Sequence, residues 1–256
     1  MLFLVILAGA ATGIVLGLFG SGGSIIAMPA LMYLLGIEAK SAIAMSLGIV
    51  AVTATISSWD HWRHHNVDVR VAAVFGLFGV IGTFAGAKVG VATPVVVQLV
   101  LFALVMYAAA WKMLKPALAP QLAVAGGLPP PERNVEVRMG HIAAHGIGVG
   151  VLTGVVGVGG GFLIVPALAL LSGLRMKLAI GTSLAIVAAK SYAGFFGYLG
   201  AVTIDWTTMV AFTCVTIAGS FAGTRIAHRF SQETLKRGFG GFLVIVATYI
   251  LVKTAL

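Results

Sequence analysis

Apolar stretches alternate with short polar ones ten times along the chain: residues 2–19, 24–35, 41–58, 69–87, 95–111, 142–156, 162–171, 178–199, 206–223 and 239–252. Most approach the roughly 20 residues that cross a bilayer as a helix. Two, 24–35 and 162–171, are closer to the roughly 10–14 residues of a re-entrant or half-crossing segment. Each short run follows a glycine-rich break, GLFGSGGSIIAMPAL at 17–31 and GVVGVGGGFLIVPAL at 154–168, with a proline at the same place. The pattern predicts an all-α integral membrane protein of about ten helical segments.

The two breaks belong to a longer repeat. A shift of 154 − 17 = 137 positions, with no gap, lays Gly13, Gly20, Gly22, Gly23, Pro29 and Gly36 on Gly150, Gly157, Gly159, Gly160, Pro166 and Gly173. The register persists. Ser46-Leu47 falls on Ser183-Leu184, Val67-Asp68 on Ile204-Asp205, and GTFAGAKVG from Gly82 on GSFAGTRIA from Gly219. Five of the eight prolines lie in 115–138, a stretch rich in polar and charged residues. The chain therefore divides into a first membrane repeat (1–114), a Pro-rich cytoplasmic linker (115–138) and a second membrane repeat (139–256).

If each break ends one segment and starts another, every half has five segments, and an odd number inverts the second copy. Basic residues test this against a four-plus-four arrangement in which the breaks only kink a crossing. Five plus five puts Arg63, Arg70, Lys112, Lys115, Arg133, Arg138, Arg175, Lys177, Arg225, Arg229, Lys236 and Arg237 on one face and Lys40, Lys88 and Lys253 on the other, 12 against 3. Four plus four splits them 7 to 8. Because cytoplasmic loops collect Lys and Arg, only the first split is interpretable. The expectation is two inverted five-segment repeats, each with a broken or re-entrant half-helix, and both termini outside.

Composition narrows the function. With 60% hydrophobic and 9% charged residues, the chain is not a soluble domain, whose charged share is about a quarter. A net charge of +9 raises the question of nucleic acid, but the basic residues are scattered among short loops, so no nucleic-acid partner is expected. The first basic residue is Lys40, so the apolar N-terminus lacks a signal peptide's positive start and reads as retained. The single cysteine, Cys214, cannot make an internal disulfide. In WDHWRHH at 59–65, His61 and His65 are four apart and could share a helix face, but no Cys or Glu nearby completes a metal site; Trp59, Trp62 and Arg63 read as an interfacial belt. No nucleophile, base and orienting acid come together, so neither an enzyme nor a cofactor is expected.

A helix that ends inside a membrane leaves peptide groups unpaired, so a break persists only beside protein or a wet cavity. Gly20, Ser21, Gly22, Gly23 and Ser24, with Gly157, Gly159, Gly160 and Gly161, would turn free N–H groups and the positive end of a helix dipole toward an anion. Ser46, Thr182 and Ser183 follow, with hydroxyls that either reach that anion or bond back to a carbonyl one turn earlier. Asp68 and Asp205 each precede an apolar run, as helix N-caps do. Lys190 is the one charge deep inside an apolar run, 12 residues from Leu178 and 10 from Gly200. A lysine there costs about 2.5–3.5 kcal/mol to insert, and its repeat counterpart is Thr53. The reading is that its ammonium faces the cavity between the two breaks and supplies the charge a translocated anion needs.

The doubled GLFGSGGSIIAMPAL and GVVGVGGGFLIVPAL, the GTSL at 181–184 and the GAVTIDW at 200–206 resemble the TauE/SafE family of sulfite and organosulfonate exporters across essentially the whole chain. The first copy departs at Ala44-Met45-Ser46-Leu47, where Met45 replaces the threonine of GTSL. Membership implies a multi-pass permease of the bacterial cytoplasmic membrane. It would export a small anion, sulfite, an organosulfonate or a related sulfur-containing or carboxylate anion, by alternating access. An anion channel built from paired half-helices is the alternative. The expected partners are that anion and the lipid bilayer, with a homo-oligomer compatible with both.

Overall fold

Long runs of Ala, Val, Leu, Ile and Gly have one way to satisfy their backbone in lipid, which is to coil into helices. The computed structural model describes residues 2–20, 23–114, 139–156, 164, 168, 176–227 and 229–255. Among them it holds nine α-helices and no strand. These are α1 (Leu2–Phe19), α2 (Gly23–Pro29), α3 (Ala39–Arg63), α4 (Val69–Ala92), α5 (Val95–Leu114), α6 (Met139–Val156), α7 (Met176–Tyr198), α8 (Trp206–Ala227) and α9 (Gln232–Ala255). A wider π-helical stretch, Ala30–Leu34, prolongs α2 past Pro29. Five of the helices are long and apolar enough to cross a membrane. The linker 115–138 and the apolar run 162–171 lie outside the described residues, apart from Ile164 and Leu168.

The repeat read from the sequence reappears in the helix boundaries. Shifted by 137, the first residues of α1, α3, α4 and α5 become those of α6, α7, α8 and α9. Helix α3 runs to Arg63, past the apolar run 41–58, because the WDHWR stretch stays helical as it enters the interface. Asp68 and Asp205 both cap, as expected: the Val71 N–H donates to Asp68 Oδ1 (3.0 Å) and the Thr208 N–H to Asp205 Oδ1 (3.1 Å).

Packing joins the halves through glycine. Helix α1 lies on α8 and α6 on α4, and the close approaches come in reciprocal pairs. A Cβ added at Gly13 would strike the Thr216 carbonyl oxygen, and one at its counterpart Gly150 would strike that of Gly79. Gly17 and Gly154 likewise face the carbonyls of Ser220 and Thr83. In each case the partners differ by the same 137 positions. Lipid tails give helices no hydrophobic reason to associate, so backbone contact through small residues provides the attraction.

Helices α3 and α7 form the buried centre and pass each other in opposite chain directions. Gly181, near the start of α7, faces His61 at the far end of α3 and Asn66 just past it, whereas Gly194, late in α7, faces Leu47 in the first half of α3. Further along, Ser41 Oγ lies 3.4 Å from Thr203 Oγ1. Helices α5 and α9 pack on each other outside this centre.

Candidate functional site: a glycine break and a buried lysine

At the first break α1 ends at Phe19, and Gly20 turns the chain with φ +70°, a conformation open to glycine without strain. Its N–H still donates to the Leu16 carbonyl (2.8 Å), so the helix closes normally before the reversal. A Cβ at Gly20 would come 2.6 Å from Ile180 Cγ2, and one at Gly23 would come 2.9 Å from Leu16 Cβ. The break is thus pressed onto the first turns of α7, and α2 folds back along α1. Ser24 is in the first turn of α2. Ser21, Gly22 and the second-break residues Gly157, Gly159, Gly160 and Gly161 lie outside the described residues.

The three hydroxyls expected near the breaks are buried and engaged. Ser46 Oγ donates to the Ile43 carbonyl (2.8 Å). Ser183 Oγ donates back to Ile180 (2.7 Å) and lies 3.3 Å from the Gly20 carbonyl, tying α7 to the break. Thr182 Oγ1 accepts the Asp68 N–H (2.8 Å), tying α7 to the turn between α3 and α4. In this conformation their hydrogen bonds hold the scaffold together.

Lys190 is completely buried. Its stem runs over Gly79 of α4, where a Cβ would come within 2.9 Å of Lys190 Cδ. Neither its Nζ nor Ser191 Oγ beside it has a hydrogen-bond partner among the described residues. The repeat explains why a lysine fits here. Gly79 corresponds to Thr216 and Lys190 to Thr53, so a small-plus-large pair on the α4·α7 seam stands where two threonines stand on the α8·α3 seam.

Two polar features not anticipated from the sequence lie elsewhere, at the ends of α4 and α6. Gln98 of α5 is buried, with Nε2 2.6 Å from the Val155 carbonyl, 3.0 Å from that of Gly90 and 3.0 Å from Tyr198 Oη. Tyr198 Oη is also 3.3 Å from the Gly154 and Val155 carbonyls. The pair therefore occupies the carbonyl end of α6, just before the second break. The other feature is Lys40, counted above as a loop charge. Its Nζ donates to the carbonyls of Gly90 (2.6 Å), Val91 (3.2 Å) and Thr93 (2.5 Å), capping α4.

Comparison with known proteins fixes the family. The profile described as "Sulfite exporter TauE/SafE" matches residues 5–250. The chain belongs to the TauE/SafE family. A "Probable membrane transporter protein" of Xylella fastidiosa (strain 9a5c) is 34% identical over 251 residues, covering 95% of this chain and 92% of that protein. "Probable membrane transporter protein YdhB" of Bacillus subtilis (strain 168) is 24% identical over 239 residues, covering 91% and 93%. No solved structure matches the chain. This TauE/SafE protein is accordingly a membrane-embedded transporter, as its motifs implied. Among its described residues Lys190 is the one lysine, arginine or acid that is completely buried. Gln98 and Lys40 carry no motif, one being a single amide in an apolar helix and the other a lysine at a helix start. Gln98's counterpart, Leu235, shows that the useful signal was a departure from the repeat.

Proposed function

We propose that the protein exports a small anion across a bacterial cytoplasmic membrane by alternating access, with Lys190 as its binding charge. The cargo class is sulfite, an organosulfonate or a related sulfur-containing or carboxylate anion. The observation that carries this is an unmatched charge. Lys190 Nζ is buried without a partner among the described residues. All seven acidic residues, Glu38, Asp60, Asp68, Glu132, Glu136, Asp205 and Glu233, fall in loops or at segment ends. A buried ammonium with no carboxylate is costly, and an anionic cargo at that point would offset the cost during each cycle.

Alternating access rests on the two halves being inverted repeats. The shared 137-residue register, the reciprocal glycine contacts and the opposed passage of α3 and α7 support inversion. The breaks at Gly20–Ser24 and Gly157–Gly161 would then line the path from opposite sides, with Ser46, Thr182 and Ser183 close to it. With no carboxylate inside to relay protons, the membrane potential can drive export alone. It favours anion exit by about 2.3 kcal/mol per charge per 100 mV.

Purified protein in vesicles, given an imposed potential but no pH or sodium gradient, should move radiolabelled sulfite or taurine saturably. Strict dependence on either gradient would reject uniport. Large unitary currents in planar bilayers would establish the channel reading instead. A wild-type flux in Lys190→Met would sink the site assignment.

A further inference from the structure

The duplication exposes a second site where the halves differ. On the outer side of α3, α4 and α7 lies a cavity of about 340 Å³, within the roughly 300–1,000 Å³ typical of small-molecule sites. Ser58, Trp59, Trp62, Val69, Ala72 and Ala188 line it. Trp59, Trp62 and Val69 are more than half exposed, so the groove opens outward toward the lipid. Its equivalent in the other half is filled by the protein itself. Ser58, Val69 and Ala72 correspond to Phe195, Trp206 and Met209. The Phe195 and Trp206 rings meet edge to face at 6.2 Å, and Met209 Cε reaches the space over Gly48. Three large apolar side chains in one half are thus three small ones in the other, leaving a groove shaped for apolar matter.

Two arginines neighbour the lining residues along the chain. Arg63 is one helical turn beyond Trp59, and Arg70 follows Val69 at the start of α4. Among the described residues neither guanidinium makes a hydrogen bond or ion pair. Of the neighbouring acids, Asp60 Oδ1 lies 3.8 Å from His64 Nδ1 and Asp68 accepts the Val71 N–H as the cap of α4, and among the described residues neither pairs with an arginine. Two guanidiniums that have no partner among the described residues are therefore free to meet an anionic group. An occupant that is apolar along its length and anionic at its end, and that reaches the groove from the bilayer, is an acidic phospholipid.

We propose that this groove binds an anionic phospholipid, with one acyl chain between α3, α4 and α7 and its phosphate between Arg63 and Arg70. The test uses the purified full-length protein in detergent micelles, titrated with phosphatidylglycerol or phosphatidylcholine of identical chains and read by native mass spectrometry. Each arginine near a membrane surface contributes about a fivefold preference for acidic lipid, so phosphatidylglycerol should bind at least about tenfold more tightly. The Arg63→Gln/Arg70→Gln variant should bind both lipids alike. Ala72→Met, which installs the other half's side chain, should weaken both. Equal affinities in the wild type, or a preference that survives loss of both arginines, would overturn the proposal. Should Ala72→Met fail to fold, a Trp111→Phe/Trp206→Phe background leaves Trp59 and Trp62 as the only tryptophans. Brominated phosphatidylglycerol should quench them more than brominated phosphatidylcholine, and equal quenching would overturn the proposal as well.

Discussion

Two seams of this molecule occupy equivalent places and do different things. On the α3·α8 seam Ser57 Oγ donates to Ser220 Oγ at 3.1 Å, and Thr53 and Thr216 bond back to their own helices. On the α7·α4 seam Gly194 stands where Ser57 was and faces Thr83, while Lys190 lies across Gly79. The two seams join equivalent helices, but one is closed by hydroxyls and the other holds a lysine whose Nζ has no partner among the described residues. A duplicated scaffold can thus keep its helix neighbours and place its costly group only once. The volume of the lysine stem is offset by deleting a side chain opposite it, which keeps the helices at contact distance.

The largest expected effect lies where the halves should be equivalent. Gly17→Val and Gly154→Val each force a side chain into a facing carbonyl, of Ser220 and Thr83 respectively. Each should cost about 3 kcal/mol or more and leave little folded protein in detergent, measured by monodispersity on size exclusion. If one variant folds and the other does not, the two glycine seams are not equivalent and the comparison fails at its base.

Next comes the difference between the seams. With folding retained, Lys190→Met should lower anion flux roughly 10- to 100-fold, the worth of one charged hydrogen bond. Thr53→Val, at the counterpart position, should change it only about twofold, because that hydroxyl is spent on Ile49. Initial rates in vesicles at matched protein content check both. Equal losses would mean that the two seams share the site.

Much of this was legible in the sequence because it repeats. The 137-residue register, the helix starts it implies, and the caps at Asp68 and Asp205 follow from residue types with a local, positional cause. So does the depth of Lys190, which needs only a count along an apolar run. What could not be read depends on which helices are neighbours. That Gly79 clears the lysine, that Lys40 caps α4, and that Gln98 meets α6 are facts about elements 50 to 111 residues apart in sequence. The engagement of Ser46, Thr182 and Ser183 was an open alternative until Ile43, Asp68 and Ile180 were seen beside them.

Gln98 offers a sharper version of the same comparison. Gln98→Leu gives the first half the residue that the second half has at position 235, and it leaves the Gly90 and Val155 carbonyls without their amide donor. The cost should be about 1–2 kcal/mol, seen as a lowered thermal midpoint. Flux should fall less than in Lys190→Met, since the amide holds the end of α6 and stands apart from the lysine. A midpoint equal to that of the wild type would mean that Lys40 at the Gly90 carbonyl and Tyr198 at the Val155 carbonyl suffice there.

The smallest effect concerns the two N-caps. Asp205 accepts two bonds from Thr208, from its hydroxyl to Oδ2 (2.5 Å) and from its N–H to Oδ1 (3.1 Å). Its counterpart Asp68 faces Val71, which has no hydroxyl to give. The Thr208 hydroxyl, and after it the Thr208 N–H, hold the Asp205 carboxyl below the usual carboxylate range. A carboxyl depressed in the folded state stabilises above its unfolded pKa, and that stabilisation disappears as pH falls through the folded value. Thr208→Val makes the second cap a copy of the first, so it should raise the Asp205 pKa toward the ordinary value. It should also cost about 0.5 kcal/mol at neutral pH, the cap being exposed to water. The difference should shrink as pH falls through the depressed folded pKa, below which both proteins carry a protonated carboxyl. Thermal midpoints of the two proteins across that range check the sign. A gap that persists or widens on acidification would show that the hydroxyl acts through packing and not through the charge.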